Sequence, residues 1–292
     1  MKIVLGIPAY NEEKNLAQII LNIKKITEEI IVCDDGSEDL TSEIAKSFNV
    51  ELIQHSTNIG YGGAIKSIIK KFMESDGDVL VTFDADGQHK IDDIEKVLEP
   101  IKKNLSDIVI GSRFLEKKTA IPNYRKAGIK AINRITNIST GKKISDTQSG
   151  FRAYKRSVFE KISLSNDGMG ISTEILIKAT KKKFKISEIP ITVSYDGDTS
   201  THNPFSHGAS VIFATMKFIA VEKPLTFYGL PGIIFLLIGL YFVFWSLKIF
   251  SESGSLVINI TLIAVGSILI ATLLLMTASI LHSIKILFRE NS

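Results

Sequence analysis

The residues best suited to chemistry stand at the end of an apolar run, VLVTFDADGQH, at positions 79–89. Asp84 and Asp86 are two positions apart, so extended backbone sends both carboxylates to the same side. Two carboxylates form a hard oxygen site that suits Mg²⁺ or Mn²⁺, and Mg²⁺ commonly takes further ligands from substrate phosphates. Gln88 can add a carbonyl oxygen. The alternative interpretation is a solvated acidic turn, because Asp and Gly favour turns for conformational reasons alone.

The strand that precedes these acids bears on the choice between the two interpretations. Positions 79–81 and 83 are apolar, which is typical of a strand in a parallel sheet that is covered by helices on both faces. In such sheets ligands bind at the carboxyl ends of the strands, where Asp84 and Asp86 would lie. The position of the acids therefore favours the metal site.

Strands and amphipathic helices alternate through the first part of the chain. Apolar runs predict strands at 2–7, 29–33, 50–53, 79–83 and 107–110, and a strand-like run follows at 185–195. Between the early strands, apolar residues recur at helical spacing. We therefore predict an α/β fold with a doubly wound, mostly parallel sheet.

Two long apolar runs stand near the end of the sequence. Neither 224–247 nor 253–283 contains Asp, Glu, Lys or Arg. Each run exceeds the roughly 20 residues that a helix needs to cross a bilayer core. The predicted organisation is a soluble domain, an interfacial helix and two transmembrane helices, at 1–208, 209–223, 224–248 and 255–284 respectively.

The charges around these runs predict the orientation. Lys217 and Lys223 precede the first run, and Lys285 and Arg289 follow the second. Positive residues concentrate on the cytoplasmic side of membrane segments. Cys33 is the only cysteine, so no internal disulfide can form, which fits a reducing compartment. We predict a multi-pass protein of the cell membrane whose two ends and soluble domain are cytoplasmic.

The distribution of basic residues bears on partners. The net charge is +4 and Lys and Arg are spread along the soluble part, so nucleic acid is not an expected partner. Segment 123–137 combines basic residues with isoleucines at helical spacing. Such a helix either presents a solvated face or lies on lipid headgroups, and the membrane segments favour the headgroups. A homo-oligomer stays open.

Six sequence motifs follow one another in the soluble domain. They are PAYNEE at 8–13, DDGS at 34–37, NIGYGGA at 58–64, DADGQH at 84–89, GSRF at 111–114 and DTQSGFRAY at 146–154. In this order they resemble the family 2 glycosyltransferases, and among these the dolichyl-phosphate mannosyltransferase and polyprenyl-phosphate glycosyltransferase group. The resemblance covers essentially the whole soluble domain. It implies a GT-A-type fold, a divalent metal, a nucleotide-diphosphate sugar as donor and C-terminal membrane helices.

The resemblance also implies roles for single residues. Donor contacts are implied for Pro8, Tyr10, Glu12, Asp34 or Asp35, Asp84, Asp86 and Gln88. Metal ligands are implied for Asp84, Asp86 and Gln88, and contacts to the acceptor phosphate for Arg113 and Arg125. Asp146 would lie between donor and acceptor and would belong to the catalytic set together with the two metal-binding aspartates.

The implied activity is metal-dependent, inverting transfer of a hexose or N-acetylhexosamine to dolichyl or polyprenyl phosphate in the lipid bilayer. The donor would be GDP-mannose, UDP-glucose or UDP-GlcNAc. One segment departs from the mannosyltransferase branch, which often has basic residues before the membrane segment: this chain has STHNPFSHG there, and His202 is a candidate replacement.

Two other functions stay open. A membrane-tethered, non-catalytic sensor of nucleotide sugars would keep the donor motifs but would gain nothing from acceptor-side arginines. A polysaccharide synthase would share the paired aspartates, but the QxxRW motif of that class is absent, because the only tryptophan, Trp245, stands in the first apolar run.

Overall fold

The apolar runs of the N-terminal part form one seven-stranded sheet in the order β3-β2-β1-β4-β6-β5-β7. The strands are β1 Ile3–Ala9, β2 Ile30–Asp34, β3 Glu51–Gln54, β4 Val79–Thr82, β5 Ile108–Ser112, β6 Arg152–Lys155 and β7 Ile186–Pro190. β6 is antiparallel to β4 and β5, and every other pairing is parallel. The predicted α/β fold with a mostly parallel sheet is confirmed.

The computed structural model describes residues 1–115, 129–130, 132–134, 136–137, 140–164, 170–193, 216, 220–221 and 223–290. The chain divides into two compact units, Met1–Thr215 and Met216–Ser292. Arg125, His202 and most of the interfacial helix predicted at 209–223 lie outside the described residues, so those predictions stay as they were made.

Helices cover both faces of the sheet, as expected of a doubly wound fold. They are α1 Leu16–Ile23, α2 Thr41–Ser47, α3 Tyr61–Glu74, α4 Asp93–Lys102, α5 Arg156–Lys161 and α6 Ile171–Lys181. Successive strand residues point to opposite faces. Leu5 and Ile7 therefore pack with α1, α2 and α4, whereas Val4 packs with α3, α5 and α6.

The strand β6 was not predicted from the sequence. It has only four residues, and its pattern begins with Arg152, which is 1% exposed although it is charged. Thr82 at the end of β4 pairs with Arg152 at the start of β6. Because the two strands run in opposite directions, the loop before β6 meets the loop that follows β4. The fold thereby brings the fourth and sixth motifs together.

The C-terminal unit contains two long apolar helices. A π-helical turn at Leu225–Gly229 leads into α7 Leu230–Ser253, and α8 covers Ile258–Glu290. The segments Leu225–Ser253 and Ile258–Ile286 are long and apolar enough to cross a membrane, with mean hydropathies of 2.3 and 2.4. Only 11% of an apolar 18-residue stretch in each segment is buried, unlike the core helix of a soluble protein. Both helices begin after the predicted starts at 224 and 255, and both end after the predicted limits of 248 and 284.

Small residues at every seventh position form the contact between α7 and α8. They are Gly232, Gly239 and Ser246 on α7 and Ala264, Ala271 and Ala278 on α8, and all are buried. A methyl group at Gly239 would lie 2.6 Å from the Ile268 side chain and 3.3 Å from the Ala264 carbonyl oxygen. The hydroxyl oxygens of Ser246 and Thr261 are 3.0 Å apart. Such small residues let helix backbones approach closely in an apolar environment.

Gly239→Leu should separate the two helices, because the added side chain meets backbone that cannot move aside. Ser246→Cys together with Thr261→Cys provides a reporter disulfide, since the hydroxyl oxygens lie 3.0 Å apart and Cys33 is buried elsewhere. Overpacking typically costs about 1–3 kcal/mol, so Gly239→Leu should lower the cross-linked fraction in membranes by about tenfold. Gly266→Leu is the matched control, because nothing lies within 4 Å of a methyl group there. An equal loss in both variants would contradict the predicted contact.

Candidate active site

Asp84 and Asp86 lie in the loop that follows β4, at the carboxyl edge of the sheet. The Tyr61 hydroxyl donates to Asp84 Oδ1 at 3.3 Å, and His89 Nε2 lies 3.5 Å from Asp84 Oδ2. Asp86 Oδ1 accepts a hydrogen bond from the backbone N–H of Gln88 at 3.0 Å. Two carboxylates and Gln88 therefore share one loop, as the sequence predicted.

The electrostatics of this loop suit a cation. Burial, followed by the charge of Asp84, raises the pKa of Asp86 above its usual value. Burial also raises the pKa of Glu12 to about 7, and the charges of Asp86, Asp39 and Asp84 add to the shift. A cation bound by Asp84 and Asp86 would relieve this repulsion. The residues present thus fit a divalent metal.

The metal would need further ligands from elsewhere. Among the described residues, no group of three or more His, Cys, Asp or Glu side chains is arranged to hold a metal ion. Mg²⁺ and Mn²⁺ prefer six oxygen ligands, and in phosphate-binding sites the substrate supplies several of them. Asp84, Asp86 and Gln88 are therefore suited to a metal that arrives with a phosphate-bearing ligand.

His89 was not predicted as a site residue. Its side chain is 6% exposed and lies 5.7 Å from Phe83 and 5.3 Å from Phe151, measured between ring centroids. Nε2 faces Asp84, whereas the buried Nδ1 has no hydrogen-bond partner among the described residues. The imidazole therefore forms an aromatic support under Asp84. The sequence pattern around the loop does not indicate that His89 packs against Phe83 and Phe151.

The backbone at Gly150 forms one wall of the site. A methyl group there would lie 2.5 Å from both Asp84 carboxylate oxygens and from the Tyr61 hydroxyl. Thr82 Oγ1 donates to the Gly150 carbonyl oxygen at 2.6 Å. Position 150 must therefore be glycine for the loop 146–151 to pack against the acids.

Arg152, in β6, holds the same loop from inside the protein. Its guanidinium donates to the carbonyl oxygens of Ser149 and Thr147, both at 2.7 Å, and of Ser172 at 3.0 Å. These bonds satisfy a charged group that is almost fully buried. Arg152 is thus a structural residue that the sequence analysis did not identify.

Arg113 and Asp146 form a bidentate ion pair beside the acids. Arg113 Nε donates to Asp146 Oδ2 at 2.7 Å and Nη2 donates to Oδ1 at 2.8 Å. Burial alone would raise the pKa of Asp146, but the Arg113 charge and hydrogen bonds outweigh it and lower the pKa below its usual value. Asp146 is 0% exposed and Arg113 is 19% exposed. The aspartate therefore stays ionised and fixes the direction of the guanidinium.

Glu188, in β7, holds this ion pair in place. The sequence analysis did not identify Glu188 as a site residue. Its Oε1 accepts hydrogen bonds from the Asp146 N–H at 3.0 Å and the Ser145 hydroxyl at 2.8 Å. Its Oε2 accepts from the Ser145 N–H at 2.8 Å. The signal in the sequence is a lone acid inside the strand-like run ISEIP, which a partly buried strand tolerates only when the carboxylate is bonded.

The remaining predicted donor residues lie at the ends of β1 and β2. Asp34 is fully buried and accepts from the Ser37 N–H at 2.9 Å and from the Ser42 hydroxyl. Asp35 accepts from the Gly60 N–H at 2.8 Å and lies 2.6 Å from His55 Nδ1. Both carboxylates therefore hold loops in place.

An open cleft of about 630 Å³ lies beside these two acids. Its lining includes Tyr10 and His55. Pro8 is buried within β1, whereas Glu12 lies beyond the strand and is half-buried. The structure therefore brings Tyr10 to a cleft and Glu12 to the acidic loop, although both belong to the first motif.

Comparisons with known proteins agree with this architecture. Residues 5–163 match the family described as glycosyl transferase family 2. The chain is 37% identical over 215 residues to a UDP-N-acetylglucosamine–dolichyl-phosphate N-acetylglucosaminyltransferase of Methanococcus voltae, across 66% of this chain and 86% of that protein. It is 38% identical over 204 residues to a dolichol-phosphate mannosyltransferase of Pyrococcus furiosus, across 66% of this chain and 56% of that protein.

A solved structure shares the fold. Glucosyl-3-phosphoglycerate synthase from Mycobacterium tuberculosis, in complex with Mn²⁺ and UDP-glucose, aligns with a TM-score of 0.60 and 18% identity. The alignment covers 75% of this chain and 78% of that protein. The expected GT-A-type fold is therefore confirmed.

Gly150→Ala should disturb the acidic loop, because the methyl group would collide with the Asp84 carboxylate. We expect affinity for a nucleotide sugar in the presence of Mn²⁺ to fall at least about tenfold, equivalent to about 1.4 kcal/mol. Calorimetry with the full-length protein measures this. Ser149→Ala is the neighbouring control, because the buried Ser149 hydroxyl has no hydrogen-bond partner among the described residues. Unchanged affinity in Gly150→Ala would show that the wall is not needed.

Glu188→Ala should leave the Ser145 and Asp146 amides without their acceptor, at about 1–3 kcal/mol for each buried group. Arg113 would then lose its fixed direction, so kcat should fall about tenfold while nucleotide-sugar affinity stays unchanged. Glu188→Gln should keep most of the activity, because one amide oxygen can replace Oε1.

Steady-state kinetics and calorimetry separate the two effects. Glu43→Ala, an exposed acid on α2, is the control. If Ala and Gln at position 188 lost kcat equally, the hydrogen bonds to Oε1 would not be the cause. If both variants lost nucleotide affinity as well, Glu188 would support the fold in general.

Proposed function

We propose that this chain, which belongs to glycosyl transferase family 2, transfers a sugar from a nucleoside diphosphate to the phosphate of a polyprenyl or dolichyl lipid. The observation that carries the proposal is that Asp84 and Asp86 lie at the same sheet edge as Arg113, whose direction Asp146 fixes. The two named relatives act on dolichyl phosphate according to their names, which supports this acceptor. The proposal covers hexoses and N-acetylhexosamines carried by GDP or UDP.

The acids bind the donor end of the reaction. Asp84, Asp86 and Gln88 would hold Mg²⁺ or Mn²⁺, and the metal would neutralise charge on the diphosphate leaving group. Tyr61 and Gly150 keep the Asp84 carboxylate in position. Pro8, Tyr10, Glu12 and either Asp34 or Asp35 remain the proposed contacts of the nucleotide.

The arginine binds the acceptor end. A lipid phosphate carries an anionic oxygen near neutral pH, so its attack needs orientation more than a general base. Arg113 cannot lose its charge and suits phosphate. Asp146 orients this arginine, and in that sense belongs to the proposed catalytic set. Arg125 remains a second proposed contact.

The bond changes follow from these positions. The acceptor phosphate oxygen forms a bond to the anomeric carbon while the bond from that carbon to the diphosphate oxygen breaks. The products are a nucleoside diphosphate and a lipid-phosphate sugar. Direct displacement of this kind inverts the configuration at the anomeric carbon.

The C-terminal helices would place the enzyme at its acceptor. We propose that Leu225–Ser253 and Ile258–Ile286 cross the cell membrane. Lys223 before the first segment and Lys285 at the end of the second support a cytoplasmic position for both ends. A long polyprenyl chain can then remain in the bilayer while its phosphate reaches a cytoplasmic site.

A donor screen with the full-length protein, polyprenyl phosphate and Mn²⁺ tests the function. We expect one nucleotide sugar to give a lipid-phosphate sugar, and Asp86→Asn to reduce the rate at least about hundredfold, which corresponds to about 2.7 kcal/mol. Asp92→Asn is the control, because Asp92 is an exposed acid on the same loop-to-helix segment. In sealed vesicles, a nucleotide sugar that cannot cross the bilayer should be used only when the cytoplasmic face is outward.

The alternatives give different results in the same screen. Tight donor binding without transfer to any acceptor would indicate a nucleotide-sugar sensor. Growth of a polymer would indicate a polysaccharide synthase. Transfer to a soluble acceptor in preference to lipid phosphate would refute the proposed acceptor.

A further inference from the structure

We propose that an open groove next to the active-site loop binds the phosphate headgroups of anionic membrane lipids. The groove, called the basic groove below, has a volume of about 560 Å³. Four basic side chains and two amides line it together with three uncharged neighbours. These six residues are Lys130, Asn133, Arg134, Asn137, Lys142 and Lys143.

The charge of the basic groove calls for an anion. Lys130, Arg134, Lys142 and Lys143 are all exposed. Among the described residues, no acidic residue lines the groove, and none of the four basic residues forms an ion pair with a carboxylate. Four like charges at one surface raise the local potential and attract anions. Phosphate groups match both Lys and Arg donors.

The groove is assembled by the fold from two segments. Lys130 and Arg134 are four positions apart, so they lie on one side of the helical segment that contains them. Lys142 and Lys143 follow in the next turn. The Asn137 amide donates to the Ile144 carbonyl oxygen at 2.9 Å and its Oδ1 accepts from the Ile144 N–H at 3.0 Å. These two bonds hold the basic pairs next to each other before any ligand binds.

A second asparagine connects the groove to the active-site loop. Asn133 is 7% exposed and its amide donates to the Ser145 carbonyl oxygen. Its Oδ1 accepts from the Thr147 N–H at 2.9 Å and from the Thr147 hydroxyl at 2.7 Å. Asp146, the partner of Arg113, lies between these two attachment points. An anion in the groove would therefore stabilise the loop that orients Arg113.

Lipid headgroups are the occupant that these features favour. The inference rests on the proposed membrane attachment, which keeps the soluble domain close to a surface rich in phosphates. The groove is open and shallow, so it suits many headgroups at a surface better than one enclosed small molecule. Each basic residue near an anionic membrane strengthens binding by about fivefold. The sequence suggested a basic helix at 123–137, but Lys142 and Lys143 join it only in the fold.

Hydrogen exchange of the full-length protein in lipid nanodiscs tests the proposal. Nanodiscs of phosphatidylcholine alone are compared with nanodiscs that also contain phosphatidylglycerol. The anionic lipid should slow exchange of the backbone amides at 141–147 by about fivefold or more, and added salt should remove the effect. Lys142→Gln with Lys143→Gln should abolish the protection. Lys182→Gln with Lys183→Gln is the matched control, because these two adjacent lysines are also exposed but do not line the basic groove.

Three results would overturn the proposal. Equal exchange at 141–147 in both lipids would show that the groove does not bind headgroups. Protection by inorganic phosphate in neutral nanodiscs, to the same degree, would assign the groove to a soluble phosphate. Loss of protection in the Lys182 and Lys183 control would show an effect of total charge. A protein that shows the expected protection but transfers no sugar would instead refute the proposed function, so the two failures can be told apart.

Discussion

The acids of this site can lie against a neighbouring loop only because position 150 carries no side chain. Antiparallel pairing of β4 and β6 places Thr82 opposite Arg152 and so brings Gly150 to the Asp84 carboxylate. The loop backbone thereby closes one side of a doubly negative site and limits its contact with water. Lower exposure to water strengthens every charge interaction there. The raised pKa of Asp86 is one result, and affinity for a cation is the expected counterpart.

Three charged side chains next to this site, of which Arg152 is fully buried, are bonded to fixed partners. Arg152 binds three carbonyl oxygens, Arg113 binds Asp146 through two nitrogens, and Glu188 accepts from the Ser145 and Asp146 backbone. An unpaired buried charge would cost several kcal/mol, so each of these groups has little freedom to move. A site built in this way is oriented before a ligand arrives, and fixed charges and dipoles of this kind stabilise the charge that develops in a transition state. Arg113, the proposed acceptor contact, is thus oriented by Asp146, which Glu188 on the edge strand β7 holds in place.

The C-terminal hairpin follows a different physical rule. Lipid tails are as apolar as the side chains, so burying apolar side chains between two helices in lipid yields no hydrophobic free energy. Close packing therefore decides which helix faces meet. The seam of glycine, serine and alanine lets α7 and α8 approach, and the hydroxyls of Ser246 and Thr261 meet across it. Large residues such as Phe244 and Leu273 remain exposed on the outer surface, where lipid would cover them. The seven-residue spacing keeps one narrow face of each helix in contact along its length.

The sequence by itself determined the parts of this protein that depend on local pattern. Apolar runs and their period predicted five parallel strands, the helices between them and two apolar C-terminal helices, and the position of Asp84 and Asp86 after a buried strand predicted their shared loop. Six ordered motifs indicated the family. The tertiary structure decided what depends on contacts between distant segments. Only the register of β6 shows why Gly150 is needed, only the packing of β7 beside β5 places Glu188 under Asp146, and only the turn after the basic helix adds Lys142 and Lys143 to Lys130 and Arg134. Strand β6 was not predicted because four residues that begin with a charged one show no clear period. The burial of Arg152 is compensated by hydrogen bonds to carbonyl groups, which no local sequence pattern indicates.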